Sequence, residues 1–446
     1  MKKKILARIV LITAVTFSVT NVFAQTKNEF SVKQAVDYGL KNSAQVKNAL
    51  LDIKIQQQVN KEVTSAAYPQ LSATGTVNDY LDIPTTLVPA EFFGGTPGTY
   101  APVKFGTKYT AAGQVDLQQI LFDGQVFVGL QAKNTVLSFQ SKTAEITQEK
   151  LKANIYKVYY QLVVGQKQMA SLDANIDRYE KLLNDTREIY KNGFAEKLDV
   201  DKVNVQLNNI KTQRESVSNQ LLAGYAGLKF LLNMPQKDSL VLTDTLSDDE
   251  LKSNILDEAY NPDDNKEVQL ATIGEKMNEY NVKRYKLSRI PTLSFSASYI
   301  KNAQRTSFDF FDKKGDWYTT SYIGLKLAIP IFNGFMKSAK IMEAKYTLEQ
   351  SKNSLLAAKD MVDYNVTQSR TKMKSAMITM DNQKQNTGLA EQVYTTTKKK
   401  YEQGLGSNQE IYDAQTELQV AQNNYYNSVY DAIAAKIDYL QATGKL

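Results

Sequence analysis

Cysteine and histidine are both absent from the 446 residues of this chain. Their absence excludes thiol and imidazole catalysis, the Ser-His-Asp triad, the commonest zinc sites and every disulfide. An enzyme would have to work through pairs of Asp and Glu, and the segment richest in these residues has no fixed geometry. We therefore expect no enzyme, no cofactor and no bound metal.

Long apolar runs are scarce as well. The opening residues MKKKILARIVLITAVTFSVTNVFAQ combine lysines, a short apolar stretch and a small residue before Gln25, which predicts a signal peptide over residues 1–24. After it no run of about 18 apolar residues occurs, so we expect no membrane-spanning helix. An exported chain of this kind enters a membrane only as strands. Without cysteine, the mature N-terminus is not lipidated.

More than half of the net positive charge of the chain comes from that opening segment. The whole chain has a formal charge of +7, and residues 1–24 carry four basic and no acidic residues, which leaves +3. Nucleic acid is therefore not expected as a partner.

Proline is missing from two long stretches, residues 125–192 and 335–402. In the first, apolar residues recur at alternating steps of four and three, a heptad pattern typical of helices wound round one another. A helix of that size runs about 100 Å. The seam comprises Leu151, Ile155, Val158, Leu162, Gly165, Met169, Leu172, Ile176, Tyr179 and Leu183.

The chain repeats one plan twice. The first repeat, residues 25–235, contains a helix (Phe30 to Ala67), a β-hairpin at about 71–122, the long helix 125–192 and a return helix 195–233. An acidic connector, 236–265, has at most a short helix. The second repeat, residues 266–446, contains a helix, a hairpin at about 292–332, the long helix 335–402 and a return helix 407–443. The first hairpin carries a longer stretch, Ile83 to Gly106, whose prolines and glycines predict a loop.

Alternation in the four strands is typical of membrane barrels, with one apolar and one polar face. A single such hairpin taken alone is more typical of a soluble protein. Export, the missing helical span and flanking aromatic residues, including Trp317, Tyr318 and Tyr322, favour a membrane interface. Because the smallest barrels have about eight strands and open edges are costly in lipid, several protomers must share one barrel. Two, three or four would satisfy this count.

The order of these parts resembles the TolC family of outer-membrane efflux proteins. The resemblance extends from about Ser31 to Tyr439 and rests on duplicated motifs: AAYPQLSATG and RIPTLSFSASY before the strands, ILFDG and IPIFNG after them, YKNG and YEQG after the long helices. It implies a mainly α-helical fold, an α-barrel of coiled coils joined to a transmembrane β-barrel. Four strands per protomer would form a 12-strand barrel in a homotrimer.

The same resemblance implies a function and partners. The chain would lie in outer-membrane lipid as the passive exit duct of a tripartite efflux pump for small molecules. Its helical tunnel would cross the periplasm to a periplasmic adaptor and an inner-membrane pump of RND or ABC type.

Candidate site residues cluster at the two turns after the long helices. In the family these turns dock the adaptor, which here implies Gly193, Phe194, Gly404, Leu405 and Ser407. Glu196 departs from the serine usual at the first turn, and this departure weakens the docking role there.

The resemblance also implies a gate and a charged entrance. A hydrogen bond between Asp199 and Tyr401 would hold the periplasmic end closed, although Tyr401 also reads as an ordinary seam residue. Gly406 stands where some members have an arginine, so a looser closed state is expected. Glu410 and Asp413 would form rings of carboxylates that attract cations. The spacing of Ser407 and Glu410 equally predicts a helix capping box.

Two other functions remain open. The exit duct of a type I protein secretion system has the same fold. A periplasmic coiled-coil adaptor or scaffold would also have long helices, but it should carry a compact β-domain in one copy.

Overall fold

A computed structural model describes residues 27–245, 259–312 and 315–446. The expected signal peptide and the acidic connector residues 246–258 lie outside these ranges. The helices are α1 (Val32–Asn42), α2 (Ala44–Ser65), α3 (Gly124–Lys191), α4 (Lys197–Leu232), α5 (Lys266–Leu287), α6 (Met336–Glu402) and α7 (Asn408–Ala442). The strands are β1 (Lys27–Phe30), β2 (Gln70–Asp79), β3 (Thr85–Pro89), β4 (Tyr100–Lys104), β5 (Tyr109–Phe122), β6 (Ser239–Leu242), β7 (Thr292–Arg305) and β8 (Tyr318–Ala328).

The chain divides into two compact units. The helical unit contains the described residues up to Asn48, Glu145–Asn265 and Met361–Leu446, and the sheet unit contains Ala49–Ala144 and Lys266–Asp360. Both units take segments from both sequence repeats. The compact units therefore cut across the duplication.

Heptad positions of α3 form the core of the helical unit. Of the predicted seam, Ile155, Leu162 and Leu172 are fully buried there, and they pack in clusters that include Leu232 and Leu207 of α4. At the Val158 position the neighbouring Tyr159 is the fully buried residue. A seam that repeats every 3.5 residues keeps one apolar stripe against the partner helix, so the predicted coiled-coil packing is confirmed. None of the helices in the described ranges is both long and apolar enough to cross a membrane.

The first helix is interrupted, contrary to the prediction of one helix from Phe30 to Ala67. Ser43 separates α1 from α2 with an extended ψ of 130°, and its backbone N–H donates to the Gly39 carbonyl at 2.8 Å. Serine favours such breaks because its side chain competes for backbone hydrogen bonds. The break coincides with close packing, since a Cβ on Gly39 would lie 2.5 Å from Cδ1 of Ile155.

A short parallel sheet was not predicted. β1 pairs with β6, from Lys27 opposite Ser239 to Phe30 opposite Leu242. The Tyr159 hydroxyl supports the pair, because it donates to the Phe30 carbonyl at 2.8 Å and accepts from the Asp244 N–H at 3.2 Å. Four-residue strands are too short to show alternation, so the connector was wrongly expected to contain no strand.

One antiparallel sheet, in the order β2-β5-β7-β8, dominates the sheet unit. Each sequence repeat contributes two strands, and β5 joins β7 with Val115 opposite Tyr299. Within the described residues β2 and β8 have no partner on their outer sides. The sheet therefore has two open edges.

The register determines which side chains share a face, since opposite residues point the same way and successive residues alternate. The apolar face includes Leu71, Ala73, Val77, Ala111, Val115, Leu117, Leu293, Phe295, Ala297, Tyr299, Ile323, Leu325 and Leu327. The polar face includes Ser72, Thr74, Thr76, Asn78, Thr110, Gln114, Asp116, Gln118, Ser294, Ser296, Ser298, Asn302, Thr320, Tyr322 and Lys326.

The segment from Ile83 to Gly106 is more ordered than the predicted loop. β3 and β4 form a hairpin in it, with Thr85 opposite Lys104, and a 3-10 turn connects them. The carboxylate of Glu91 accepts the Gly98 N–H at 3.1 Å. In a two-stranded hairpin each strand has a free edge, where proline is tolerated, so the prolines did not exclude strands.

Tyr179 links α3 to α7. Its hydroxyl lies 2.8 Å from the Thr416 hydroxyl, and its ring is fully buried. Burial raises the pKa of Tyr179 to about 12, above the value of about 10 in an unfolded chain. Ionising the buried hydroxyl therefore disfavours the folded state: stability is unaffected by this group below pH ~10, and about 2 to 3 kcal/mol is lost as the pH rises from ~10 to ~12.

We expect Tyr179→Phe to lower the free energy of unfolding by about 1 kcal/mol near neutral pH, because the hydrogen bond is lost. Above pH ~10 the variant should become the more stable protein, since it has no hydroxyl to ionise. Denaturant titrations of helical circular dichroism in detergent, repeated across this pH range, measure both effects. Tyr364→Phe, at an exposed ring of α6, is the control. Parallel pH profiles for Tyr179→Phe and wild type would contradict the assignment.

Candidate functional site: helix turns and sheet faces

Both long helices end in the same kind of turn. Gly193 follows α3 with φ 80°, and Gly404 follows α6 with φ 73°. In each turn the glycine N–H donates to a carbonyl three residues back, and the next N–H donates to one five residues back. This is the Schellman motif. Its left-handed residue favours glycine, so the geometry explains both glycines.

A large apolar side chain follows each glycine. Phe194 is 86% exposed and Leu405 is 77% exposed. Burying such a side chain is worth about 1.5 to 3 kcal/mol, so each of these two side chains would gain free energy from a partner that covered it.

The return helices start differently. Ser407 caps α7, because its Oγ accepts the Glu410 N–H at 3.1 Å. At the start of α4 the Glu196 N–H donates to the carboxylate of Asp199 at 3.2 Å. The capping box expected at Ser407 is incomplete, because the Ser407 side chain accepts the Glu410 N–H but the Glu410 side chain does not accept the Ser407 N–H. The Glu410 carboxylate is exposed and forms no hydrogen bond or ion pair with the described part of the chain.

Tyr401 and Asp199 have different partners in the structure. The Tyr401 hydroxyl lies 3.5 Å from Oδ1 of Asn408, an atom that accepts the Thr186 hydroxyl at 2.9 Å. Asp199 is engaged by Glu196 at its own helix start. The hydrogen bond of the predicted gate is therefore not formed within one chain as described.

The arrangement at Tyr401 joins three helices. Thr186 lies on α3, Tyr401 on α6 and Asn408 on α7, and burial raises the pKa of Tyr401, so its hydroxyl remains a neutral donor. Thr186 and Asn408 were not identified from the sequence, because single polar residues carry no periodic signal.

The two entrance carboxylates have different surroundings. Gln409 donates to Asp413 at 2.7 Å and accepts from Lys202 Nζ at 3.1 Å. A cation of α4 is thereby held near Asp413, which weakens the negative potential there. Glu410 has no such neighbour. Lys202 and Gln409 are therefore further residues of this site. The sequence indicates Lys202 because it occupies, in the first repeat, the position that Asp413 occupies in the second.

The apolar face of the sheet is largely uncovered. Ile323 is 79% exposed and Leu325 is 69% exposed. Monomeric soluble proteins rarely expose contiguous patches of such side chains.

The three predicted interface aromatics do not share a face. Trp317 packs against Phe310 with ring centroids 6.4 Å apart, and Phe310 covers Ala111 and Ala303 on the apolar face. Tyr322 lies opposite Ser298 and Tyr318 opposite Asn302, which puts both tyrosines on the polar face. Strand alternation separates them from Trp317.

Known proteins resemble this chain in both sequence and fold. A family model described as Outer membrane efflux protein matches residues 263–445, which is essentially the second repeat. The Outer membrane protein TolC of Salmonella enteritidis is 21% identical over 340 residues, covering 74% of this chain and 68% of that protein. The Proteases secretion protein PrtF of Dickeya chrysanthemi is 22% identical over 210 residues. That match covers 46% of this chain, and the chain spans only 45% of the length of PrtF.

Solved channel structures have the same fold. The outer membrane protein VceC of Vibrio cholerae aligns over 93% of this chain and 96% of its own, with a TM-score of 0.72 and 14% identity. The MtrE outer membrane channel of Neisseria gonorrhoeae, in its open state, aligns over 93% and 88% with a TM-score of 0.69 and 14% identity. The chain therefore has the fold of these outer-membrane channels, its second repeat matches the Outer membrane efflux protein family, and its sequence is similar to that of TolC.

Proposed function

We propose that the chain forms the outer-membrane exit duct of a tripartite efflux system, through which small molecules pass passively. The observation that carries this proposal is the four-stranded sheet, apolar on one face, polar on the other and open at both edges. Such a sheet needs lipid on one side, water on the other and further strands at its edges.

The dimensions of the apolar face support a membrane position. From Leu293 to Ala303 strand β7 advances ten residues, which is about 33 Å. Lys301 is the one charged side chain on this face within that span, and it lies near the loop end, where a lysine can extend toward the interface. At the tilt of about 40° usual in outer-membrane barrels this gives a band about 25 Å tall. Phe310 and Trp317 lie at its loop end, where aromatic residues favour the interface.

We infer a homotrimer with a 12-strand barrel. The open edges have similar lengths, ten residues in β2 and eleven in β8, so one can pair with the other in a neighbouring copy. Strand counting permits two to four copies, and the family resemblance selects three.

The proposed partners are a periplasmic adaptor and an inner-membrane pump of RND or ABC type. Phe194 and Leu405 would dock the adaptor, with Gly193, Gly404 and Ser407 shaping their turns. A second function, the duct of a type I protein secretion system, is favoured by the likeness to PrtF, a protein named for protease secretion. Deleting the gene separates the two: efflux predicts sensitivity to small toxic compounds, and secretion predicts loss of an exported protein.

The membrane face gives a matched pair of variants. Leu325→Lys puts a charge on the apolar face, which costs about 2 to 4 kcal/mol in each copy near the bilayer centre, and should strongly reduce the oligomer recovered from outer membranes. Thr320→Lys puts the same charge on the polar face of the same strand and should leave the yield near wild type. Gel analysis of unheated membrane extracts measures both. Equal yields from the two variants would argue against a lipid-facing apolar side.

The gate also has a matched control. We expect Tyr401→Phe and Asn408→Ala to raise single-channel conductance in planar bilayers, because each removes a contact at the α3, α6 and α7 turn. Tyr190→Phe changes the tyrosine three residues before Gly193, the counterpart of Tyr401 before Gly404, and should leave conductance unchanged. Asp199→Ala would raise conductance only if Asp199 reaches Tyr401 in the assembled, closed state. Unchanged conductance in all three gate variants would exclude this gate.

The entrance carboxylates should contribute unequally to cation preference. Glu410→Gln should lower the cation-to-anion permeability ratio about twofold or more, and Asp413→Asn should lower it less, because Lys202 offsets its field. Lys202→Gln should increase the effect of Asp413. Reversal potentials in a salt gradient measure the ratio, with Asp185→Asn on α3 as the charge control. An unaltered ratio in Glu410→Gln would leave Glu410 with no role in selection.

A further inference from the structure

The polar face of the sheet carries very little charge. Along β2, β5, β7 and β8 the side chains of this face are mainly Ser, Thr, Asn and Gln, and its charged residues within these strands are Asp116 of β5 and Lys326 of β8. The other charged residues of the four strands, Asp79, Lys301 and Arg305, lie on the opposite face. A face that is almost neutral has its potential set by the few charges it does carry.

Asp116 lies in the middle of this face. Four residues form a row across all the strands, in the order Ser72, Asp116, Ser298 and Tyr322. β5 is an inner strand of the sheet, paired with β2 on one side and with β7 on the other, so Asp116 is flanked by a strand on each side.

The polar neighbours of Asp116 orient its carboxylate but do not neutralise its negative charge. Nε2 of Gln114 lies 2.7 and 2.8 Å from the two oxygens of Asp116, and no ion pair engages Asp116 within the described residues. The cross-strand neighbour Ser298 is 5% exposed, and its hydroxyl has no hydrogen-bond partner among those residues. A carboxylate beside a hydroxyl offers oxygen ligands of the kind hard cations prefer.

We propose that Asp116 is a second determinant of ion selectivity, which attracts cations inside the sheet part of the duct, and that Lys326 opposes it. This inference rests on the proposed function, because it requires several copies whose polar faces enclose water. Three copies would present three carboxylates at one level and three ammonium groups at another.

The two levels act separately. Lys326 is four residues beyond Tyr322 on β8, which places it about 13 Å along the strand toward α6. This separation exceeds the Debye length of about 8 Å at physiological salt, whereas at about 0.01 M, where that length is about 30 Å, the two fields overlap and partly cancel. At physiological salt each level therefore imposes its own sign on the ions that pass it.

The test is the reversal potential of the full-length protein in planar bilayers, with potassium chloride at about 0.01 M and 0.1 M on the two sides. At these concentrations the fields reach about 30 Å and 10 Å. Asp116→Asn should lower the potassium-to-chloride permeability ratio about twofold or more, and Lys326→Gln should raise it similarly. Asp116→Glu should keep the wild-type ratio. In 1 M salt, where the field reaches about 3 Å, the differences should vanish.

Controls separate selectivity from folding. Asp79→Asn removes the same charge from the loop end of β2, on the other face of the sheet by alternation, and should leave the ratio unchanged. Opposite shifts of the permeability ratio in Asp116→Asn and Lys326→Gln support the proposal. If the contact between Gln114 and Asp116 were purely structural, the two variants would not shift the ratio in opposite directions. If Asp116→Asn fails to assemble, an unshifted Lys326→Gln overturns the proposal.

Failure of the inference and failure of the proposed function give different results. If Glu410→Gln shifts the reversal potential and neither sheet variant does, Asp116 is no selectivity determinant and the duct stands. If the wild-type protein inserts and conducts no ions, the duct itself is refuted, and the inference with it.

Discussion

Unpaired backbone groups along β2 and β8 constrain this molecule more strongly than any side chain does. Each N–H or C=O left without a partner in lipid costs several kcal/mol, and both edges of the sheet lack partners within the described chain. Side chains on the same sheet require one apolar and one aqueous surface. Pairing edge to edge between copies meets both demands, because it removes the edges and encloses the polar face.

The duplicated plan gives two similar helix turns with different chemistry. Both have the same glycine motif and an exposed apolar residue beyond it. The two return helices differ in charge. α7 carries the two carboxylates Glu410 and Asp413, whereas α4 has Lys202 at the position that corresponds to Asp413. The hydrogen-bond chain through Gln409 then joins a cation of one repeat to a carboxylate of the other. Divergence between the repeats therefore leaves Glu410 as the one of these two carboxylates that has no cation held beside it in the described part of the chain.

Regular features of this fold were readable in the sequence because they repeat. The heptad seam of α3, the glycines at both turns and the alternation in β5 and β7 each extend over many residues or occur twice. Features formed by few residues were not readable. β1 and β6 have four residues each. β3 and β4 contain prolines, which favour a loop in a prediction from sequence. The cluster of Thr186, Tyr401 and Asn408 comes together only through packing of three helices, whereas the family resemblance implies Asp199 as the partner of Tyr401. The opposite faces of Trp317 and Tyr322 follow from strand register, which composition does not reveal.

A cross-link between the open edges tests the assembly most directly. The chain has no cysteine, so Thr74→Cys on β2 can be paired with one cysteine at Thr320, Tyr322 or Gly324 on β8 and oxidised in intact cells. Within one copy β5 and β7 lie between these strands, which separates the sites by about 14 Å, beyond the reach of a disulfide. Every disulfide formed must then join two copies. We expect covalent dimers and trimers on denaturing gels for at least one pair, lost on reduction. Monomers alone for all pairs, from protein released into the soluble fraction on lysis, would contradict the shared barrel.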